Sequence, residues 1–502
     1  MLHPKSKLSE VDIRKGLKYV IRDGVASQIL VTLTSGTFMV AFALKLGASN
    51  SVIGLLAAIP PLAQIIQLPT IYLIEKIQNR RLITTISVLI GRVFFILIAL
   101  IPILFRSTLG QGILFISLLL SSAFAAIATC SWNSWMRDLI PQDNLGGFVS
   151  KKMSIAMLTG VFFSLAGGYF IDYWAKWFPE NQIYSFSILF IIGFLAGETG
   201  IYFISSIPEP HMKVTNMNIF QVILSPFKDV NFRNLVKYTA TWSFTMNIVT
   251  PFFTVYLLKR LNYEMSFVII LSVISQLFSF MFLRIWGKLS DKFSNKSVLG
   301  VCATMYVLCV LAWTFTTLPD IHSFTKPLIV IIHIFMGISI SGITLGQSNI
   351  GLKLAPKGEA TAFLAANTFV VSIAAGLAPI LGGYFADYFE VRSLSWVFTW
   401  QGPQGDIILP TLSLQQWDFF FFIGFLTGLL ALQRLVFVKE KGEVEEKIVV
   451  HELISEVRTR MRNFSSVGGL HDMISFPFAI LYHAKTLTNS ITAVKKKGFK
   501  KK

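Results

Sequence analysis

LAGGYFIDYW, Leu165–Trp174, returns 215 positions later as ILGGYFADYF, Ile380–Phe389. Gly167, Gly168, Tyr169, Phe170, Asp172 and Tyr173 all recur, and the same ungapped offset carries Pro141 of DLIPQDN onto Pro356 of KLAPKGE. A loop and a helix repeat together, so the chain is a tandem duplication. Each copy closes a long apolar segment with a Gly-Gly pair and one acidic residue, which predicts equivalent helices in equivalent places in the two halves.

Working outward, 502 residues with 54% hydrophobic and 14% charged content do not describe soluble domains. Apolar runs of about 20 residues have the length that a hydrocarbon layer of about 30 Å requires of a helix. They lack the strict alternation of a barrel strand, so an all-α membrane protein is expected. Twelve spans are placed at 24–46, 51–74, 82–104, 110–135, 153–175, 184–206, 234–257, 265–286, 298–317, 327–351, 360–388 and 416–437. The organisation follows: an N-terminal segment 1–23, a six-helix bundle 24–206, a linker 207–233, a second bundle 234–437 and a basic tail 438–502. The linker opens on the turn signal Pro208-Glu209-Pro210, continues as an amphipathic piece suited to the membrane surface and shows no chemistry. Met1–Arg22 is polar and basic and is not a cleavable signal.

The net charge of +18 is a topology signal and not a sign of nucleic acid. With both termini cytoplasmic, 36 of the 44 Lys and Arg fall on the inside and only Lys45, Arg106, Lys176, Lys259, Arg260, Lys326 and Arg392 outside. A multi-pass protein of a bacterial inner (plasma) membrane is expected, read as a monomer. Cys130, Cys302 and Cys309 lie in apolar spans as small buried hydrophobes, and neither metal nor other cofactor is expected. The tail carries FPFAILY, Phe476–Tyr482, and ends in KKKGFKKK, a pattern suited to anionic membrane lipid or to a solvated tail.

Gly287–Lys296, GKLSDKFSNK, resembles the loop signature of the major facilitator superfamily, Gly-x-x-x-Asp-Arg/Lys-x-Gly-Arg-Lys; Gly287, Asp291, Lys292 and Lys296 match. Ser294 and Asn295 depart from it, and the sister loop ending at Glu75–Arg81 keeps an acid and a basic cluster while Ile71 replaces the first glycine. GLAPILGGYF in span eleven is similar to the superfamily's glycine-rich helix motif. The resemblance covers residues 20–437. It implies two six-helix bundles around a cavity lined by spans one, four, seven and ten, with access alternating between the faces. Gly287, Asp291, Lys292 and Glu75 are then the expected cytoplasmic gate.

Polar side chains concentrate in the four lining spans. Gln28, Thr32, Asn133, Trp242, Asn247 and Gln347 are the expected substrate-binding residues, because amides and indoles need partners outside their own backbone. Arg92 and Glu198 sit at matching depths, roughly 12–15 Å from the cytoplasmic edge. They read first as a buried ion pair and second as a proton site, with Asp23 at the interface and His333 in the core. The expected function is secondary active transport of a small solute, coupled to protons or another ion. The alternative is a non-transporting receptor or scaffold whose basic tail recruits partners or lipid. No nucleotide-binding loop and no catalytic or metal constellation supports an enzyme. Few cavity charges favour a neutral, zwitterionic or lipophilic solute.

Overall fold

The structure, a computed structural model, describes residues 8–105, 107–141, 145–212, 225–317, 321–355, 360–402, 405–440 and 442–464. The linker's amphipathic piece, FPFAILY and the terminal lysines lie wholly or largely outside them.

Helix α1, Glu10–Thr34, starts well before the expected first span. Ser9 and Asp12 form a reciprocal capping box that satisfies the first free N–H groups. The span breaks at Gly36, whose φ of +57° only glycine adopts cheaply, and resumes as α2, Thr37–Lys45. The second span is α3, Asn50–Ala63, then a 3₁₀ turn Gln64–Ile66 and α4, Gln67–Ile77. Pro60 and Pro61 remove two backbone donors just before that turn. The first half closes with α5 (Arg80–Leu104), α6 (Ser107–Leu139), α7 (Leu145–Trp177) and α8 (Tyr184–Ser206).

The second half comprises α9 (Val230–Val255), α10 (Met265–Lys292), α11 (Asn295–Thr314), α12 (Thr325–Leu354), α13 (Ala360–Phe389) and α14 (Trp417–Val436). Eleven spans among the described residues are long and apolar enough to cross a membrane. The predicted seventh, α9, is long enough but carries Asn231, Arg233, Asn234, Lys237, Thr239, Thr241, Ser243 and Asn247 along its length. Its hydroxyls bond carbonyls one turn back, as Thr245 does to Thr241. Its other partners are α13 and α14, on which it packs.

Two features escaped the sequence reading. Between α13 and α14, strands β1 (Ser393–Gly402) and β2 (Gly405–Gln415) form an antiparallel hairpin with an irregularity at Trp396/Val397. Beyond α14, helix α15 (Glu446–Phe464) folds back onto α10 and α11, burying Val438 and Val449 completely. The tail nearest the bundle is therefore packed structure. These landmarks mark the two faces of the molecule, the hairpin face and the termini face that carries Glu10 and α15.

Candidate functional site

The repeated decapeptide is the seam between the halves. At the hairpin end of α7, Asp172 accepts the backbone N–H groups of Met265 (2.9 Å) and Ser266 (2.7 Å), the first two residues of α10. At the equivalent end of α13, Asp387 accepts Asn50 N–H (3.0 Å) and Ser51 N–H (2.8 Å), the first two of α3, and the Ser51 hydroxyl also donates to it. Ser49 takes the next N–H of α3, from Val52. Each carboxylate thus caps a helix of the opposite half, where the positive end of the helix dipole and the orphan amides favour an anion. Asn50 and Ser51 are the 215-residue counterparts of Met265 and Ser266, so the two clamps are one device used twice.

The glycine pairs explain themselves in the same frame. A Cβ on Gly167 would strike Phe38 at 2.9 Å, and on Gly382 the Ile248 carbonyl oxygen at 2.6 Å; the first glycine of each pair packs on the first helix of its own half. A Cβ on Gly168 would meet Ile269 at 3.1 Å, and on Gly383 the Asn50 carbonyl oxygen at 2.5 Å; the second faces the other half. Gly54 against the Pro379 carbonyl and Gly376 against Leu62 continue the α3–α13 contact toward mid-depth. The seam is knit on the hairpin face, where Lys176 and Glu264 add an exposed pair at 3.9 Å.

On the termini face the expected gate is not assembled. Asp291 is exposed and Glu75 half-buried, and neither has a hydrogen-bond partner among the described residues. Space around Gly287 is open: a Cβ there would meet nothing within 4 Å, so its glycine is not explained by close helix approach in this conformation. Lys292 turns to Glu452 of α15 at 2.6 Å.

Of the expected binding residues, Trp242 and Gln347 share a cavity of about 210 Å³ with Thr239, Ser243, Thr344 and Asn367. Thr239 donates to Asn367 at 2.6 Å, and Gln347 Nε2 is buried without an acceptor. Asn367 went unread because span eleven was not expected to line the pathway, although it is that span's one amide. The other four residues lie elsewhere. Asn247 is spent on its own helix, donating to the Ser243 carbonyl at 2.8 Å. Gln28 donates to Thr32 at 3.0 Å in the first half, beside Gly160, and Asn133 is exposed on α6.

Arg92 does not pair with Glu198. It reaches Asp23 at 3.9 Å, bonds Ser27 at 2.7 Å and donates to the Gly197 carbonyl, while Ser27 donates to Asp23 at 3.0 Å. The reason is local. Gly193, Gly197 and Gly200 lie on one face of α8 and leave a notch against α1, where Asp23 sits with 6% of its surface exposed. Glu198 is turned about 100° off that face, and its Oε1 is buried without a hydrogen bond. Asp23 is accordingly a buried counter-ion of Arg92.

The linker also carries chemistry after all. Glu209 of the turn signal is 1% exposed and accepts the backbone N–H of Arg80 (2.8 Å) and Arg81 (3.0 Å) and the Arg80 side chain (3.2 Å). Arg80 also meets Asp138 at 2.5 Å. In the second half Glu440 does the same for α11, accepting Lys296 N–H and Asn295 Nδ2, both at 2.8 Å. After its sixth span, each half sends one glutamate back to cap its third.

Comparison with solved structures returns membrane transporters at low identity. The nucleoside transporter NupG superposes with a TM-score of 0.60 at 14% identity, over 86% of this chain and 100% of that one. The xylose transporter XylE from E. coli, inward open, gives 0.61 at 14%, over 87% and 99%. A bacterial homologue of the iron transporter ferroportin, inward-facing, gives 0.58 at 13%, over 86% and 100%. At such identities the likeness speaks for the fold alone. No curated protein matches the sequence. The sequence profile of the Major Facilitator Superfamily matches residues 25–379 and 243–482, and with two six-helix bundles seamed by a duplicated clamp, the chain belongs to that superfamily of membrane transporters.

Proposed function

We propose that the protein is a secondary transporter that carries a small, uncharged, polar solute by alternating access, with the termini face cytoplasmic and open. The observation that carries this reading is the asymmetry of the seam: both aspartate clamps are made on the hairpin face, while the Glu75 and Asp291 side chains have no hydrogen-bond partner among the described residues on the other. Orientation rests on the distribution of Lys and Arg. A cysteine at Asn181, on the hairpin face, should react with an impermeant maleimide applied to intact cells, and one at Gln78 should not. The opposite pattern would reverse the reading.

The solute class follows from the cavity, whose lining offers hydroxyls, two amides, an indole and aliphatic walls but no charged side chain. Such a set satisfies hydroxyls and ring faces and leaves a carboxylate or phosphate uncompensated. Two of the structural relatives are named for nucleoside and for xylose, both neutral molecules rich in hydroxyl groups. Nucleosides and pentoses should therefore raise the melting temperature of the purified protein, and sugar phosphates should not. Gln347→Ala and Asn367→Ala should each weaken binding about 10-fold, the worth of a buried hydrogen bond. Stabilisation by anions alone would overturn the assignment.

The proposed proton site is the Asp23–Arg92 pair with Glu198 beside it, charges set within the helices of the first half. Asp23→Asn should abolish accumulation driven by a pH gradient while leaving solute exchange across the same vesicles. Intact gradient-driven uptake would put coupling elsewhere.

A further inference from the structure

Three lysines of the α10–α11 loop region are taken by the tail: Lys292 of the expected gate, Lys296 of the loop signature, and Lys288 one turn before Lys292. Lys288 meets Glu456 at 2.9 Å, Lys292 meets Glu452 at 2.6 Å and Lys296 meets Glu443 at 2.8 Å. The spacing suits the task. Glu452 and Glu456 stand one turn apart on α15, and Lys288 and Lys292 one turn apart on α10, so two antiparallel rows of charge mate in register. Between them Val449 is fully buried and Leu453 and Val457 pack on the core, which fixes the helix in place. Its entry is pinned too: Glu440 is held by Asn295, Lys296 N–H and Lys353 (3.3 Å), and Ser297 donates to the Val444 carbonyl at 2.9 Å. The Lys296 ammonium bonded to it holds the Glu443 carboxyl below the ordinary carboxylate range.

We infer that α15 is a strap that, through Glu452 and Glu456, holds the termini face open by occupying the lysines this loop needs in order to close against the first half. This rests on the alternating-access reading, but its test reads conformation and not transport. The main contacts of α15 are with α10 and α11, both of the second half, so the strap does not itself bridge the mouth. Its effect is competitive. A lysine bonded to Glu452 is not free for a carboxylate of the opposite half, and Glu75 stands there without a partner among the described residues. The pairs are partly exposed, with the three lysine side chains between 18% and 58% accessible, so each is weak, salt-sensitive and reversible. That is the strength a regulatory contact requires.

The test uses the full chain with Cys130, Cys302 and Cys309 replaced and spin labels at Arg137 and Ser348, both exposed near the termini ends of α6 and α12. Pulsed dipolar distances should report the open mouth as the dominant population. In Glu452→Gln/Glu456→Gln, and in the parent chain at high salt, the ratio of short to long distances should rise about 2- to 10-fold, the span expected for losing two exposed pairs. The charge-exchanged chain Lys292→Glu/Glu452→Lys should return to the parental ratio. An unchanged distribution in the double variant, with melting temperature lowered, would make the strap a structural brace and overturn the inference. So would a widened mouth. Because the readout needs no solute, failure of the proposed solute class would leave this result standing.

Discussion

Asp387→Asn opens the hairpin face. Asn is the same shape, but it presents one acceptor and one donor to two backbone N–H groups, so either Asn50 or Ser51 loses its acceptor and an N–H meets an NH₂. The charge that complements the start of α3 goes as well. A charge-assisted hydrogen bond is worth about 1.5–3 kcal/mol, which shifts a two-state equilibrium roughly 10- to 150-fold. Spin labels at Asn181 and Glu264, exposed on either side of the seam, should show a longer distance becoming the major one. Asp172→Asn should act alike through Met265 and Ser266, and the pair together should exceed either. Gly383→Ala offers an independent arm, since its Cβ would sit 2.5 Å from the Asn50 carbonyl oxygen and 2.8 Å from the Ser51 Cα, atoms of backbone that cannot yield without parting the helices. If both aspartate variants keep the parental distance while Gly383→Ala lengthens it, the clamps do not set the equilibrium and closure resides in the α3–α13 packing.

The decapeptide was legible as a repeat long before it was legible as a gate. Periodicity and the 215-residue offset carry fold, span number and the equivalence of the halves, because these depend on one segment at a time. What Asp172 does depends on where Met265 sits, and that is a relation between halves which no local pattern contains. For the same reason Arg92 was matched to Glu198 by depth, whereas the glycine notch of α8 directs it to Asp23, a residue that α1 buries by starting at Glu10. The binding residues divide along the same line. Trp242 and Gln347 face a shared space, while Asn247, with the same claim on composition, folds its amide back onto its own helix. The hairpin is not legible in apolar runs of about 20 residues, because its strands of 10 and 11 residues are half that length.

Glu209→Ala should cost a large share of the fold's stability. Arg80 is 1% exposed and Glu209 equally so, and the glutamate alone serves two backbone N–H groups at the start of α5 besides the guanidinium. Truncating it strands those amides and leaves a buried cation whose one remaining carboxylate among the described residues is Asp138, itself 43% accessible. Breaking a buried pair from one side costs about 3–5 kcal/mol, a large share of the 5–15 kcal/mol that holds a typical fold. The residues lost from register are those that fix the linker: the Pro210 carbonyl accepts from Arg80 at 3.0 Å and the Pro208 carbonyl from the Trp135 indole at 3.1 Å. Gly16 of α1 packs on the Pro208 ring. Purified Glu209→Ala should therefore melt well below the parent, or fail to accumulate in the membrane. Glu209→Gln, which keeps an acceptor for one N–H, should fall between. Arg80→Met with Glu209→Gln, which removes the cation together with the anion, should recover part of the loss, because what destabilises the single variant is the charge left behind more than the contact removed. Equal melting temperatures for Glu209→Ala and the parent would mean that water reaches Arg80, and that the clip at the end of the first half does not hold α5 to the linker.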